Sequence, residues 1–357
     1  MELESIARGA ASSDGKARFS TERFEKMLID IANRRAFKPL SRSLEQEHDF
    51  SELLEFEEDE LLLDRDADVI KVLREQVANG DARYTEWLQD AAKLSGYEAA
   101  LRLRELDVLI RRDRDRTQTD MFSQGLTVAD SKDRSSSAIR EAAALALAQA
   151  HGLPYYAGTD LLPKLGSRNV EQFLALCGDL FAEMHAEMTL QRKPKVSAQR
   201  QDRIVHRASQ RYWKEILRRV PDGHLVQQLV LAIVKMAEQD NIKPTVPYPP
   251  GVTGTALHMS DRERLLDPKV RESIPGADQL LAALSNAISF NIVSAELDRS
   301  VKNKQVMVIY LNRLLCPMFK LPLGRGGYRE KKLEVMAKWM TNPIEGPQHE
   351  AAEQLSF

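Results

Sequence analysis

The chain has 357 residues, enough for two or three domains, since a single hydrophobic core stops growing well before that length. Its apolar fraction of 43% and charged fraction of 29% are those of a globular protein, and a formal net charge of -2 excludes a global pull toward DNA or an anionic membrane. Any polyanion binding must therefore be local. No uncharged run reaches the length needed to cross a bilayer, and the acidic start MELESIARGAASSDGK lacks the apolar core of a signal peptide. A cytoplasmic protein with no membrane partner is expected. Cys177 and Cys316 lie in apolar helical contexts without CxxC spacing, which reads as two buried free thiols in a reducing compartment.

Residues 1–71 form an acidic, partly helical region. Phe24, Met27, Leu28 and Ile31 predict a helix over Ser20–Arg35. The segment HDFSELLEFEEDELLLDRDAD carries an apolar stripe of Leu53, Leu54, Phe56, Leu61 and Leu62, the pattern of a surface helix, with an acidic docking segment as the alternative. Residues 72–122 read as long helices broken at Asn79-Gly80 and Ser95-Gly96, with Leu101, Leu103, Leu106, Leu109 and Ile110 on a buried side. The run SQGLTVADSKDRSSS, poor in large apolar residues, marks a linker over 123–136.

Residues 137–195 read as a small helical bundle: an Ala-rich helix at Ser137–Ala150, a turn at His151–Pro154, and two helices between Asp160 and Leu190. Residues 196–322 open on a basic helix, followed by a helix from Asp222 to Asn241 and a Pro-rich extended piece, KPTVPYPPGVTG. Helices at Ser260–Asp267 and Gly276–Phe290 then precede a hairpin of Ile292–Leu297 and Val306–Leu311 around the basic turn Arg299–Lys304. Helices followed by a two-stranded wing with a cationic tip follow the order of a winged helix. A glycine-rich turn, a helix and a polar tail complete residues 323–357. The expected fold is mainly α: a helical amino-terminal region, a small helical bundle, and a winged-helix domain with one β-hairpin.

No complete catalytic constellation emerges. A phosphate-binding loop needs GxxxxGK and then a hydroxyl, and the nearest approach, GAASSDGKA, has one residue too many and ends on Ala17. The seven histidines form no HxxxH or HExxH pair, so no metal and no cofactor are expected, and no GxSxG elbow offers a serine nucleophile. No residue is nominated as catalytic, and a non-enzyme is expected.

The strongest electrostatic feature is SAQRQDRIVHRASQRYWKEILRRV. There Arg200, Arg203, Arg207, Arg211, Lys214 and Arg218 recur every three or four residues, winding onto one helical stripe opposite Val205, Trp213, Ile216 and Val220. Such a row suits nucleic-acid phosphates, each contact adding salt-sensitive affinity through counterion release. The alternative is that the stripe pairs with the acidic segment around Glu55–Asp68. Arg299, Lys302 and Lys304 supply a second cationic point at the wing, Lys302 and Lys304 being the nominated contacts. Gly326, Gly327 and Arg329, in a glycine-rich basic turn before a helix, form a candidate anion site, with a tight docking turn as the alternative.

The run LPYYAGTDLLPKLGSRNVEQFLALCGDLFAEM, the segment PYPPGVTG, the hairpin ending VIYLNRLLCPMFKLPLG and the closing GGYRE are together similar to the carboxy-terminal half of bacterial origin-recognition-like ATPases of the AAA+ and STAND group. The resemblance covers Leu94 to Met340 and is most specific from Tyr155 to Leu180. It implies a helical lid at Ser137–Lys195 and a winged helix at Val196–Leu321, in a family whose members often lie among antiphage-defence genes. Two departures stand out. Residues Met1–Lys93 supply no P-loop domain, and the family's Ser-Gly-Asn-x-Arg sensor motif reads Ser167-Arg168-Asn169-Val170-Glu171, with a carboxylate where a phosphate-sensing arginine belongs. The resemblance therefore implies a degenerate relative that kept binding modules and lost the motor. DNA or another nucleic acid is the expected partner of a non-enzymatic regulatory subunit of a phage-defence or mobile-element system, the alternatives being a protein–protein assembly module without DNA binding or an ATPase completed in trans by a P-loop partner protein.

Overall fold

A computed structural model describes residues 14–43, 49–61, 66–78, 84–119, 137–241, 251–301, 304–324 and 327–342. The linker at 123–136, the Asn79-Gly80 break, Lys302 and Gly326 lie outside these residues. The described chain is predominantly helical, with one four-stranded sheet. It divides into two compact units, one of residues 1–104 and 146–209, the other of residues 105–145 and 210–357.

In the first unit, α1 (Asp14–Ser43) is longer at both ends than the spacing of its apolar residues suggested. It packs on α6 (Leu162–Leu165) and α7 (Val170–Thr189), burying Leu28, Ala32 and Leu40. The acidic segment does not form one surface helix. It folds as two short 3-10 turns, Glu52–Leu54 and Glu58–Leu61, and buries Phe50, Leu53 and Leu54. Helices α2 (Asp66–Ala78) and α3 (Thr85–Ala92) follow, with Tyr84 set edge-on to Trp87 in the interior, while α4 (Gly96–Thr119) and α5 (Ser137–His151) each have residues in both units. After α5, the turn into α7 places Ser167 and Arg168 at φ 50° and 64°, and the Asn169 side chain caps α7 by accepting from the Gln172 amide at 3.1 Å. Left-handed backbone disfavours a side chain by about 1–2 kcal/mol, the physical reason a glycine suits the site that Arg168 fills.

The second unit has a winged-helix-like arrangement. In chain order it holds α9 (Gly223–Asn241), β1 (Val252–His258), α10 (Met259–Leu266), α11 (Pro268–Glu272) and α12 (Ala277–Ser289). Strands β2 (Val293–Val301) and β3 (Lys304–Leu311) then form the wing hairpin, and β4 (Gly327–Glu330) leads to α13 (Leu333–Thr341). The sheet runs β2-β3-β1-β4, antiparallel except for the parallel β1–β4 pair. Helix α9 packs on β1, α12 and α13. Two strands go beyond the single hairpin expected from sequence. The GVTG end of the Pro-rich piece enters β1, and the GGYRE segment makes β4 where a turn into a helix was expected. Gly254 and Gly327 permit this sheet: a Cβ at Gly254 would meet the Ile309 carbonyl at 2.6 Å, and one at Gly327 the Gly251 carbonyl at 2.4 Å.

Candidate nucleic-acid interface

The basic helix is α8 (Ala198–Arg219), amphipathic as its spacing demands. Gln201, Val205, Ala208, Ser209, Trp213 and Ile216 are buried. Arg203, Arg207, Arg211, Lys214 and Arg218 are exposed on the opposite side, and 100° per residue confines them to an arc of about 80° over about 22 Å of helix. Among the described residues, Arg203, Arg207, Lys214 and Arg218 form no ion pair.

Arg200 differs from Arg203, Arg207, Lys214 and Arg218. It is held by two carboxylates of α7, Glu187 and, at 3.3 Å, Glu183. The hydrogen bond from Arg200 holds the Glu187 carboxyl below its usual range, and the same contact raises the guanidinium pKa further.

The two acids of α8 do not neutralise the stripe. Glu215 pairs with Arg219 at 3.7 Å. Asp202 turns toward the loop before α6, where its Oδ1 accepts from the amides of Tyr155 at 3.0 Å and Tyr156 at 2.8 Å. Burial opposes its ionisation, but His206 beside it and those two amides outweigh burial and hold the carboxyl below its usual range.

Among the described residues, the acidic segment also leaves Arg203, Arg207, Lys214 and Arg218 unengaged. It docks through its apolar residues and its backbone, the Val196 amide donating to the Leu53 carbonyl at 3.0 Å. Gln201 completes the junction, donating to the carbonyls of Leu54 at 2.8 Å and Val196 at 2.7 Å while accepting from the Gly158 amide at 2.9 Å. Glu60 reaches Lys195 at 3.6 Å, upstream of the helix. Among the described residues, no carboxylate of this segment pairs with Arg203, Arg207, Lys214 or Arg218.

Of the wing cations, Arg299 and Lys304 lie among the described residues, and both are paired with carboxylates. Arg299 lies within β2, not in the turn, since pairing continues to Val301, and a register shift between Glu296 and Arg299 sets it opposite Val306, on the face of Val308 and Tyr310. Its guanidinium pairs with Glu296 at 3.2 Å, donates to the Tyr310 hydroxyl at 3.1 Å and sits 5.6 Å from the centre of the Tyr328 ring. Lys304 pairs with Glu330 at 3.5 Å. Helix α12, which holds the recognition-helix position of such a fold, reads ADQLLAALSNAIS and contains no Lys or Arg. Its exposed residues include Asp278, Gln279, Ser285 and Ile288.

The glycine-rich turn does not stand at a helix N-terminus. Gly327 begins β4, and Arg329 is paired with Asp240 of α9. Arg168 and Glu171 are exposed beside the Asn169 cap. Sequence reasoning missed Gln201, whose three partners lie 5 to 147 residues away, beyond the reach of any local pattern.

A family model described as ORC-CDC6-like matches residues 14–332. The chain belongs to the ORC-CDC6-like family. The match reaches back to α1, so the family's pattern in this chain includes the amino-terminal helices and is not confined to the part beginning at Leu94. The chain carries no GxxxxGK[ST] phosphate-binding loop. No curated protein and no solved structure matches this ORC-CDC6-like chain.

Proposed function

We propose that the chain is a non-enzymatic, nucleic-acid-binding regulatory subunit that grips the phosphate backbone along the outer face of α8. The observation that carries this reading is the exposed stripe of Arg203, Arg207, Lys214 and Arg218, which no described carboxylate engages. Membership of the ORC-CDC6-like family is consistent with it. Guanidinium and ammonium groups on one helical face contact phosphates without reading bases, so the binding positions the protein on nucleic acid with little sequence preference. The cation-free α12 supports a mode in which the recognition-helix position does not enter a groove.

The test is binding to a labelled random duplex across a salt series, beside the variant Arg203→Glu/Arg207→Glu/Arg218→Glu. With four to five phosphate contacts, log affinity falls against log salt with a slope of about −4, and the variant loses about 100-fold or more at low salt. The unfolding midpoint of the variant stays within a few degrees, since these side chains touch no core. Binding that ignores salt, or survives in the variant, would overturn the reading.

One observation favours a second role for the winged-helix-like part. Ile288 and Phe290, at the end of α12, are 41% and 44% exposed, a composition better suited to a protein surface than to phosphates. In that reading α8 binds nucleic acid while α12 meets a partner protein.

A further inference from the structure

The first unit contains a cavity of about 210 Å³ between α1 and α7 beside Phe50, remote in sequence from the α8 stripe. The cavity opens to solvent, Arg35 and Gly178 being exposed and Leu174 and Phe181 half-buried, and a set of small residues leaves it unfilled. Part of this set is on α1, where Ala32 and Ala36, one turn apart, stand where larger side chains would close the gap.

The other part is Gly178. It lies in the interior of the 20-residue α7, where glycine is the poorest helix former after proline. Close packing does not require it, because nothing lies within 4 Å of the Cβ that it lacks. Gly178 is exposed, so a side chain there would stand at the mouth of the cavity, and the glycine leaves that mouth open.

The chemistry of the walls defines the occupant. Leu174, Phe181 and Phe50 are apolar, and burial pushes the neighbouring Cys177 thiol up to about 12, so that wall stays neutral at any physiological pH. An enclosed apolar cavity of about 150 Å³ takes a benzene ring, so an open one of this volume has room for a single ring or a chain of roughly six to eight carbons with one end toward solvent. Arg35 is the one cation among the described lining residues; it is exposed and forms no ion pair among them. A guanidinium at the edge of an apolar cavity matches a carboxylate by two parallel hydrogen bonds.

We propose that this cavity is a binding site for a small amphipathic monocarboxylate, its apolar body between α1 and α7 and its carboxylate on Arg35. The site is separate from the α8 stripe, and its test does not involve nucleic acid.

The experiment titrates the full chain with octanoate and, separately, with 1-octanol, by calorimetry and thermal unfolding. Octanoate binds saturably at one site and raises the unfolding midpoint. The variant Gly178→Leu, which fills the mouth of the cavity and improves the helix, unfolds at an equal or higher temperature and loses octanoate binding. Arg35→Gln weakens octanoate about tenfold and leaves 1-octanol unchanged. Absence of saturable octanoate binding in the native chain overturns the proposal, as does octanoate binding undiminished in Gly178→Leu. Equal affinity for octanoate and 1-octanol overturns the anionic class of ligand. Should Gly178→Leu fail to fold, the Arg35→Gln comparison alone decides, since that exposed residue supports no core.

Discussion

Helices α8 and α12 separate two properties that a winged-helix protein often places on one element. Helix α12 has the topological position of a recognition helix, after α10 and α11 and before the wing, yet it carries no Lys or Arg. Helix α8 precedes the whole arrangement and carries the exposed cations. Position in a fold and suitability for a polyanion are thus independent, and function has to be argued from the side chains that a face exposes.

The two helices are also anchored differently, which gives the largest expected effects. Gln201 on the inner face of α8 is fully buried, and truncation strands the Gly158 amide and the carbonyls of Leu54 and Val196. Gln201→Ala therefore destabilises by about 4 kcal/mol, read as a fall in urea midpoint with little change in slope. Helix α12 begins instead on Gly276 at φ 89°, where a Cβ would meet the Ala337 carbonyl at 2.3 Å. Gly276→Ala combines left-handed strain with that clash and costs about 3 kcal/mol by the same measurement. A neutral result for Gln201→Ala would show that the junction with the acidic segment is not formed in solution.

The outer faces are compared by single truncations at exposed positions. Lys214→Ala on α8 lowers the salt slope of duplex binding by about 0.9 and weakens affinity severalfold at low salt. Ser285→Ala on α12 changes neither. An effect of Ser285→Ala equal to that of Lys214→Ala would return α12 to the interface and break the contrast.

How much of this was legible in sequence depended on the range of the interactions. Helices α9, α10 and α12 lie within a few residues of where periodicity and turn signals put them, because those signals are local. Strand β1 was hidden because VTGTAL, although buried throughout, has a glycine at its centre and large apolar side chains only at Val252 and Leu257, a weak strand signal directly after a Pro-rich piece. Strand β4 is only four residues long, glycine-led, and pairs in parallel with β1 across more than seventy residues of chain. The cationic stripe was legible from its three- and four-residue steps. That Arg200 is engaged while Arg203 is not was not legible, since Glu183 and Glu187 belong to another helix. Likewise Arg299 looked like a wing-tip cation, whereas β2 continues past it to Val301 and the register shift turns it to the face of Tyr310.

The smallest expected effect concerns pH and again distinguishes the inner side of α8 from its outer face. Asp202 is the one carboxylate of α8 that binds backbone amides, and its folded pKa lies below the ordinary value of 3.8. A group whose pKa is depressed on folding contributes stability that is fully present above its unfolded pKa and is lost as pH falls through its folded pKa. The contribution of Asp202 is accordingly complete at neutral pH and disappears only in strong acid. In Asp202→Asn the amide oxygen still accepts from Tyr155 and Tyr156 but the charge beside His206 is gone. The variant is therefore less stable than the native chain at pH 7, and the gap between their urea midpoints narrows as pH falls below about 4. A gap that stays constant from pH 7 into strong acid would mean that geometry alone, and not the charge, holds the Tyr155–Tyr156 turn against α8.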